Sequence, residues 1–126
     1  MTSTLAVREV KIAHFTTTSE HAGETIVLRM CGNADSEAHP ALEQLLREID
    51  LAAMRLQVKE TVVSFQELYF MNSSCLSLLV RWIGALTARE EAARYRIKFL
   101  SNPKLSWQKR SLRALDALGQ GVVTSE

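Results

Sequence analysis

Leu68-Tyr69-Phe70-Met71-Asn72-Ser73-Ser74-Cys75-Leu76-Ser77-Leu78-Leu79-Val80 joins an apolar run to a helical pattern through a tight polar cluster. Asn72 suits an N-cap, because its side-chain oxygen can accept from the free N–H groups of the first turn. Ser73 and Ser74 fall in that turn, where unpaired donors and the positive end of the helix dipole favour an anion. Rotating each residue about 100° from the last places Leu76, Leu79, Val80, Ile83 and Leu86 on one stripe, the expected core side. Ser73 lies roughly 60° from Leu76, toward that side, whereas Ser74 lies roughly 160° away with Leu78, Arg81, Trp82 and Ala85. The expectation is one hydroxyl turned inward and one turned out beside a partly apolar surface.

Working outward, Thr61 to Phe65 is short, β-branched and uninterrupted, as suits a central strand covered on both faces. Gln66 and Glu67 break it before Leu68. Upstream, Val7 to Phe15 and Glu24 to Met30 read as a hairpin around the polar connection Thr16 to Gly23. Gly32 to Ser36 forms a turn, with Asn33, Asp35 and Ser36 supplying local hydrogen bonds. A helix follows from about Ala38 to Asp50, with Ala38, Leu42, Leu45, Leu46 and Ile49 as its stripe and Pro40 in its first turn. Leu51 to Lys59 either extends that helix or forms a loop.

Downstream, the Asn72 helix is expected to reach about Ala93, with Gly84 marking a close packing point at a cost of roughly 1 kcal/mol against Ala. Arg96 to Leu100 alternates as a half-exposed strand, with Ile97 and Phe99 inward. A last helix spans about Leu105 to Leu118, packed by Leu112, Leu115 and Leu118 and stopped at Gly119. Val122-Val123 adds a short terminal strand. The order is ββαβαβα, an α/β fold with parallel pairing and right-handed crossovers.

The 126 residues fit one domain, 1–126, with 1–6 and 124–126 frayed. With 47% hydrophobic and 23% charged residues the chain is globular, and a net charge of +1 gives no global pull toward nucleic acid or anionic membrane. No apolar leader or bilayer-length run is present, so the reading is a soluble, cytoplasmic protein without membrane insertion. Cys31 and Cys75 occur in no metal or redox spacing and read as free thiols in a reducing compartment. The three histidines, His14, His21 and His39, give no metal spacing and no Cys-His pair. Neither GxxxxGK[ST] nor GxGxxG occurs, so no nucleotide or other cofactor is expected.

Val62-Val63-Ser64-Phe65 followed by Leu68 to Leu76 resembles the signature of STAS domains, the family of anti-sigma factor antagonists. That signature is a hydrophobic strand, a short connection, then Asp-Ser-Ser/Thr-Gly-Leu at a helix start. Asn72 stands at the usual Asp, Cys75 at the usual Gly, and Ser64 at a common Asp ending the strand. The resemblance implies a mixed sheet with helices packed mainly on one face, and a non-enzymatic interaction module of a bacterial regulatory pathway.

It also implies a phosphoacceptor at Ser74, the position the helix wheel independently turns outward, with Ser73 as second choice. Asn72 and Cys75 then form the cap and switch element, and Leu78, Arg81, Trp82 and Ala85 the partner-binding face, since exposed apolar pairs mark interfaces. The implied partners are an anti-sigma factor with a serine-kinase-like fold and a resetting serine phosphatase; a homodimer stays open. Two alternatives stand beside this: a constitutive subunit of a transporter or stress-sensing complex without phosphorylation, and a small-ligand sensor. The cations Arg94, Arg96, Lys98, Lys104, Lys109, Arg110 and Arg113, with Trp107 among them, read as a solvated face first and as a dock for an acidic protein second.

Overall fold

The computed structural model describes residues 2–4, 7 and 9–126, with the backbone alone for 2–4. Its elements are β1 Thr2–Thr4, β2 Lys11–Ile12, β3 Phe15–Ala22, β4 Thr25–Ala34, α1 His39–Leu56, β5 Glu60–Met71, α2 Ser73–Thr87, β6 Arg96–Leu100, α3 Ser106–Leu118 and β7 Val123–Ser125. One mixed sheet runs β1-β3-β4-β5-β6-β7, with β2 also paired to β3. β3 and β4 form an antiparallel hairpin, and β4 through β7 are parallel. Each helix therefore bridges two parallel neighbours. The three crossovers step the same way across the sheet, so α1, α2 and α3 lie on one face with α2 in the middle. The expected ββαβαβα order is the body of this fold; β1, β2 and β7 are short additions.

The apolar periodicities explain most elements. Leu42, Leu45, Leu46 and Ile49 are buried along α1, which continues past Asp50 to Leu56 and ends on Gln57 in the left-handed conformation. Ile26, Leu28 and Met30 of β4, Val63 and Phe65 of β5, and Ile97 and Phe99 of β6 fill the layer between sheet and helices. Phe65 meets Phe99 at 5.3 Å between ring centres.

Several expected boundaries differ. The first hairpin strand is Phe15–Ala22, which begins at the last residue of the expected strand and runs through the stretch read as a connection. Phe15, Thr17 and Ser19 point inward in alternation, and the actual turn is Gly23-Glu24. Thr17 Oγ1 accepts from Val10 N at 3.0 Å, which occupies the inward hydroxyl. Gln66 and Glu67 do not end the central strand, because β5 absorbs them as an irregular register against β4 and runs on to Met71. α2 stops at Thr87, and Glu91–Ala93 is a separate 3₁₀ turn, since Arg94 turns back to donate to the carbonyls of Thr87 and Arg89. Within the stretch expected to fray, Thr2–Thr4 pairs with β3, while residues 1, 5 and 6 lie outside the described residues. The C-terminus is tied down as well: Glu126 N donates to Phe99 O at 2.9 Å. Gly84 is no packing point, for a Cβ there would meet nothing within 4 Å.

Candidate protein-interaction site

The polar cluster after β5 folds as the cap that its residues favour. Asn72 is extended, at φ −77° and ψ 168°, and its N–H donates to Ala34 O at 2.9 Å, which holds the strand end. Its Oδ1 accepts from Cys75 N at 2.9 Å and from Ser74 Oγ at 3.1 Å. Ser74 is exposed, with its hydroxyl anchored on the cap at the positive end of α2. Ser73 is exposed too, so the expectation of an inward Ser73 is corrected. Cys75 is fully buried under the cap, its Sγ 3.4 Å from Asp35 O. Burial, and then the Asp35 charge, push its thiol above the ordinary range, so it is a core filler without nucleophilic character.

The buried stripe of α2 is Cys75, Leu78, Leu79, Trp82, Ile83 and Leu86, rotated roughly 70° from the expected one. The helix is wedged between α1 and α3, so its apolar arc must reach α1. Leu78 (4% exposed) and Trp82 (6%) are core residues, and the expected exposed pair does not exist. Trp82 Nε1 donates to Tyr95 Oη at 2.7 Å, and Tyr95 donates to Asp50 Oδ1 at 2.6 Å. Arg89 completes the chain with 2.9 Å to Asp50 Oδ1 and an ion pair to Oδ2. Burial works to raise Asp50, but the hydrogen bonds from Arg89 and Tyr95 outweigh it and hold the carboxyl below its usual range. Burial first and the hydrogen bond to Asp50 second drive the Tyr95 phenol far up, so it stays a donor.

Leu78, Arg81, Trp82 and Ala85 do come together, as one wall of a cleft of about 210 Å³ between α1 and α2. The cleft's charged rim is internally paired: Arg81 holds Glu43 at 2.8 Å. Of the four, Arg81 and Ala85 are exposed.

The large exposed apolar residues of β5 and α2 are others. Tyr69 (58%) and Phe70 (48%) stand out from the last turn of β5, and Val80 (37%) from the outer side of α2. The uniform apolar run Leu68 to Met71 hid this, because the register shift at Tyr69 breaks the alternation and leaves Leu68 and Met71 alone buried. A second missed residue is Gln108 of α3, only 1% exposed, whose Nε2 donates to Phe65 O at 2.6 Å and Leu68 O at 2.9 Å. It satisfies carbonyls that the irregular register of β5 leaves free, and so seats the start of α3 beside Tyr69.

No protein-family model and no curated protein matches the sequence. Solved structures do. An anti-sigma factor antagonist from Mycobacterium paratuberculosis aligns at TM-score 0.61 and 18% identity, covering 82% of this chain and 80% of its own. The anti-sigma factor antagonist SpoIIAA in its unphosphorylated form aligns at 0.58 and 24%, covering 87% of each chain. The Bacillus cell fate determinant SpoIIAA in its phosphorylated form aligns at 0.56 and 27%, covering 87% and 90%. The chain has the STAS-like fold of these anti-sigma factor antagonists. Among the described residues of this STAS-like domain no cluster of His, Cys, Asp and Glu could hold a metal ion, and no helix is long and apolar enough to cross a membrane.

Proposed function

We propose that this STAS-like domain is a non-enzymatic protein-binding module of a bacterial cytoplasmic pathway, switched between partners by phosphorylation of Ser74. The observation that carries the reading is an exposed Ser74 Oγ at the capped start of α2, which directly follows the strand end that carries exposed Tyr69 and Phe70. The likeness to anti-sigma factor antagonists, one of them described in both phosphorylated and unphosphorylated forms, supports that general kind of role.

In this mechanism an anti-sigma factor with a serine-kinase-like fold covers Tyr69 and Phe70 and brings ATP and Mg²⁺. Ser74 Oγ attacks the γ-phosphorus, loses its proton and becomes the phosphate ester as ADP leaves. The ester oxygen no longer donates to Asn72, and the new group carries about −1.5 to −2 charges. Asn72 is neutral and adds no repulsion, while the start of α2 favours the charge. A partner packed on the aromatic pair must now desolvate a dianion, and it leaves. A serine phosphatase restores the hydroxyl. Cys75, where the STAS signature has Gly, lies buried and does not crowd the acceptor.

Mass spectrometry of the protein purified from its own source should find phosphate on Ser74. Ser74→Ala should hold the kinase-like partner and Ser74→Asp should release it. Equal binding by the two variants would replace the switch with a constitutive subunit that uses the same face.

A further inference from the structure

We propose that an acidic segment of a protein partner docks along the solvent side of α3, beside Tyr69 and Phe70. The inference rests on the partner-binding reading above and names the partner's chemistry. On the α3 wheel Arg110 and Arg113 face straight outward, and Lys109 sits at one flank of the same side. Lys104 precedes the helix, and all four are exposed.

Among the described residues none of these four has a carboxylate partner. Elsewhere Arg29, Arg47, Lys59, Arg81, Arg89 and Lys98 each hold one, and Arg94 holds two carbonyls. The other described cations without a carboxylate, Lys11, Arg55 and Arg96, are scattered over separate elements rather than gathered on one helix. The one acid on α3, Asp116, accepts from Ser125 Oγ at 2.7 Å through Oδ2, and its Oδ1 is buried. The domain thus presents unneutralised cations on one helix although its net charge is only +1.

Two further features place a partner there. Gln108 and Asn102 tie the start of α3 to the carbonyls of Phe65, Gln66 and Leu68, so the helix that carries the cations begins at the strand segment that leads into the exposed aromatic pair. Aromatic anchors bordered by polar, charged groups are the anatomy of a protein interface. Lys109 and Arg113 also wall a cavity of about 490 Å³ between α3 and the chain around Ser101 and Ser125, room for a partner's side chains. Nucleic acid fits less well: Trp107 is half-buried and packs against Phe65 at a 31° tilt, with centres 6.0 Å apart, rather than presenting a free face to a base.

The test uses a short fluorescent peptide of alternating acidic residues with Leu and Phe, a lysine-substituted copy, and a labelled single-stranded oligonucleotide, each titrated by anisotropy at rising salt. The acidic peptide should bind the intact domain in preference to both other probes, more weakly as salt rises. Lys109→Glu with Arg113→Glu should weaken it about tenfold, as for reversed charges at an interface rim. Arg55→Glu with Arg96→Glu, the same charge change at exposed sites toward the other end of the parallel strands, should leave it within about twofold. Circular dichroism verifies that each variant is folded. Equal weakening by both pairs, no binding, or preference for the oligonucleotide overturns the proposal. If Phe70→Ser or Ser74→Asp weakens binding and the α3 reversal does not, the acidic dock fails while the Ser74 switch stands.

Discussion

Asn72 uses one side-chain oxygen for two donors, Cys75 N and Ser74 Oγ, so the cap and the proposed acceptor share an anchor. An aspartate at position 74 gives up the Ser74 contact but places a carboxylate in the first turn, an exchange worth about 0.3–1 kcal/mol in favour of the charge. Ser74→Asp should therefore melt at or slightly above the wild-type temperature, and a clear drop would show that this helix end does not accept an anion. Two glycines make opposite predictions. Gly32 sits at φ +94°, and a Cβ there would lie 1.8 Å from His14 O, a backbone atom that cannot give way. Gly32→Ala should cost several kcal/mol, the range of strain combined with a forced clash. Gly84 faces open solvent in mid-helix, so Gly84→Ala should stabilise by about 0.5–1 kcal/mol. Thermal unfolding of the two variants checks both signs.

α2 shows which elements were legible in the sequence and which were not. Its existence and its cap followed from Asn72 and the pattern after it, but its rotation did not. Seven residues, Leu76, Leu78, Leu79, Val80, Trp82, Ile83 and Leu86, are apolar and cover more than half the wheel, so several stripes fit them equally. The polar side decides instead: Ser73, Ser77, Arg81 and Gly84 cluster within roughly 80°, and the point opposite them is the stripe that is buried. Tyr95 was out of reach for another reason. Its partners Asp50, Trp82 and Arg89 belong to separate segments, and only the packing of α1 beside α2 unites them. Removing the phenol hydroxyl leaves buried Trp82 Nε1 without its acceptor, while Asp50 Oδ1 keeps Arg89, so Tyr95→Phe should cost about 1–3 kcal/mol by denaturant unfolding. Asp50 adds a pH signature. Its folded pKa lies below the unfolded value of about 3.9, so its contribution is complete above that pH and is lost as pH falls through the folded pKa. Unfolding curves taken from neutral pH down to the acid range should show a stability loss that is smaller in Asp50→Asn.

With all helices on one side, the whole molecule has two unlike sheet faces, and the order of elements already implied it. Strands that follow one another through crossovers of the same hand must collect their helices together. What the order did not reveal is how bare the other face is. Arg29, Thr18 and Glu67 are exposed on it, and Glu20 and Arg29 pair there at 2.9 Å. The expectation of a central strand covered on both sides is thus half right: β5 has neighbours β4 and β6 at its edges but helices on one face alone. Adjacent residues of this strand separate the two environments. Val63 is fully buried toward the helices, whereas Val62 lies between Val27 and Lys98 and keeps contact with solvent. Val63→Ala removes two methyl groups from a packed layer and should cost about 2 kcal/mol or more, because the cavity adds to the lost transfer energy. Val62→Ala opens no cavity and gives up only part of the same area, so its cost should stay under about 1 kcal/mol. Denaturant midpoints at equal slope give both numbers directly. Equal costs at the two positions would mean that something covers the open face in solution, and a concentration-dependent midpoint would identify that cover as a second copy of the chain.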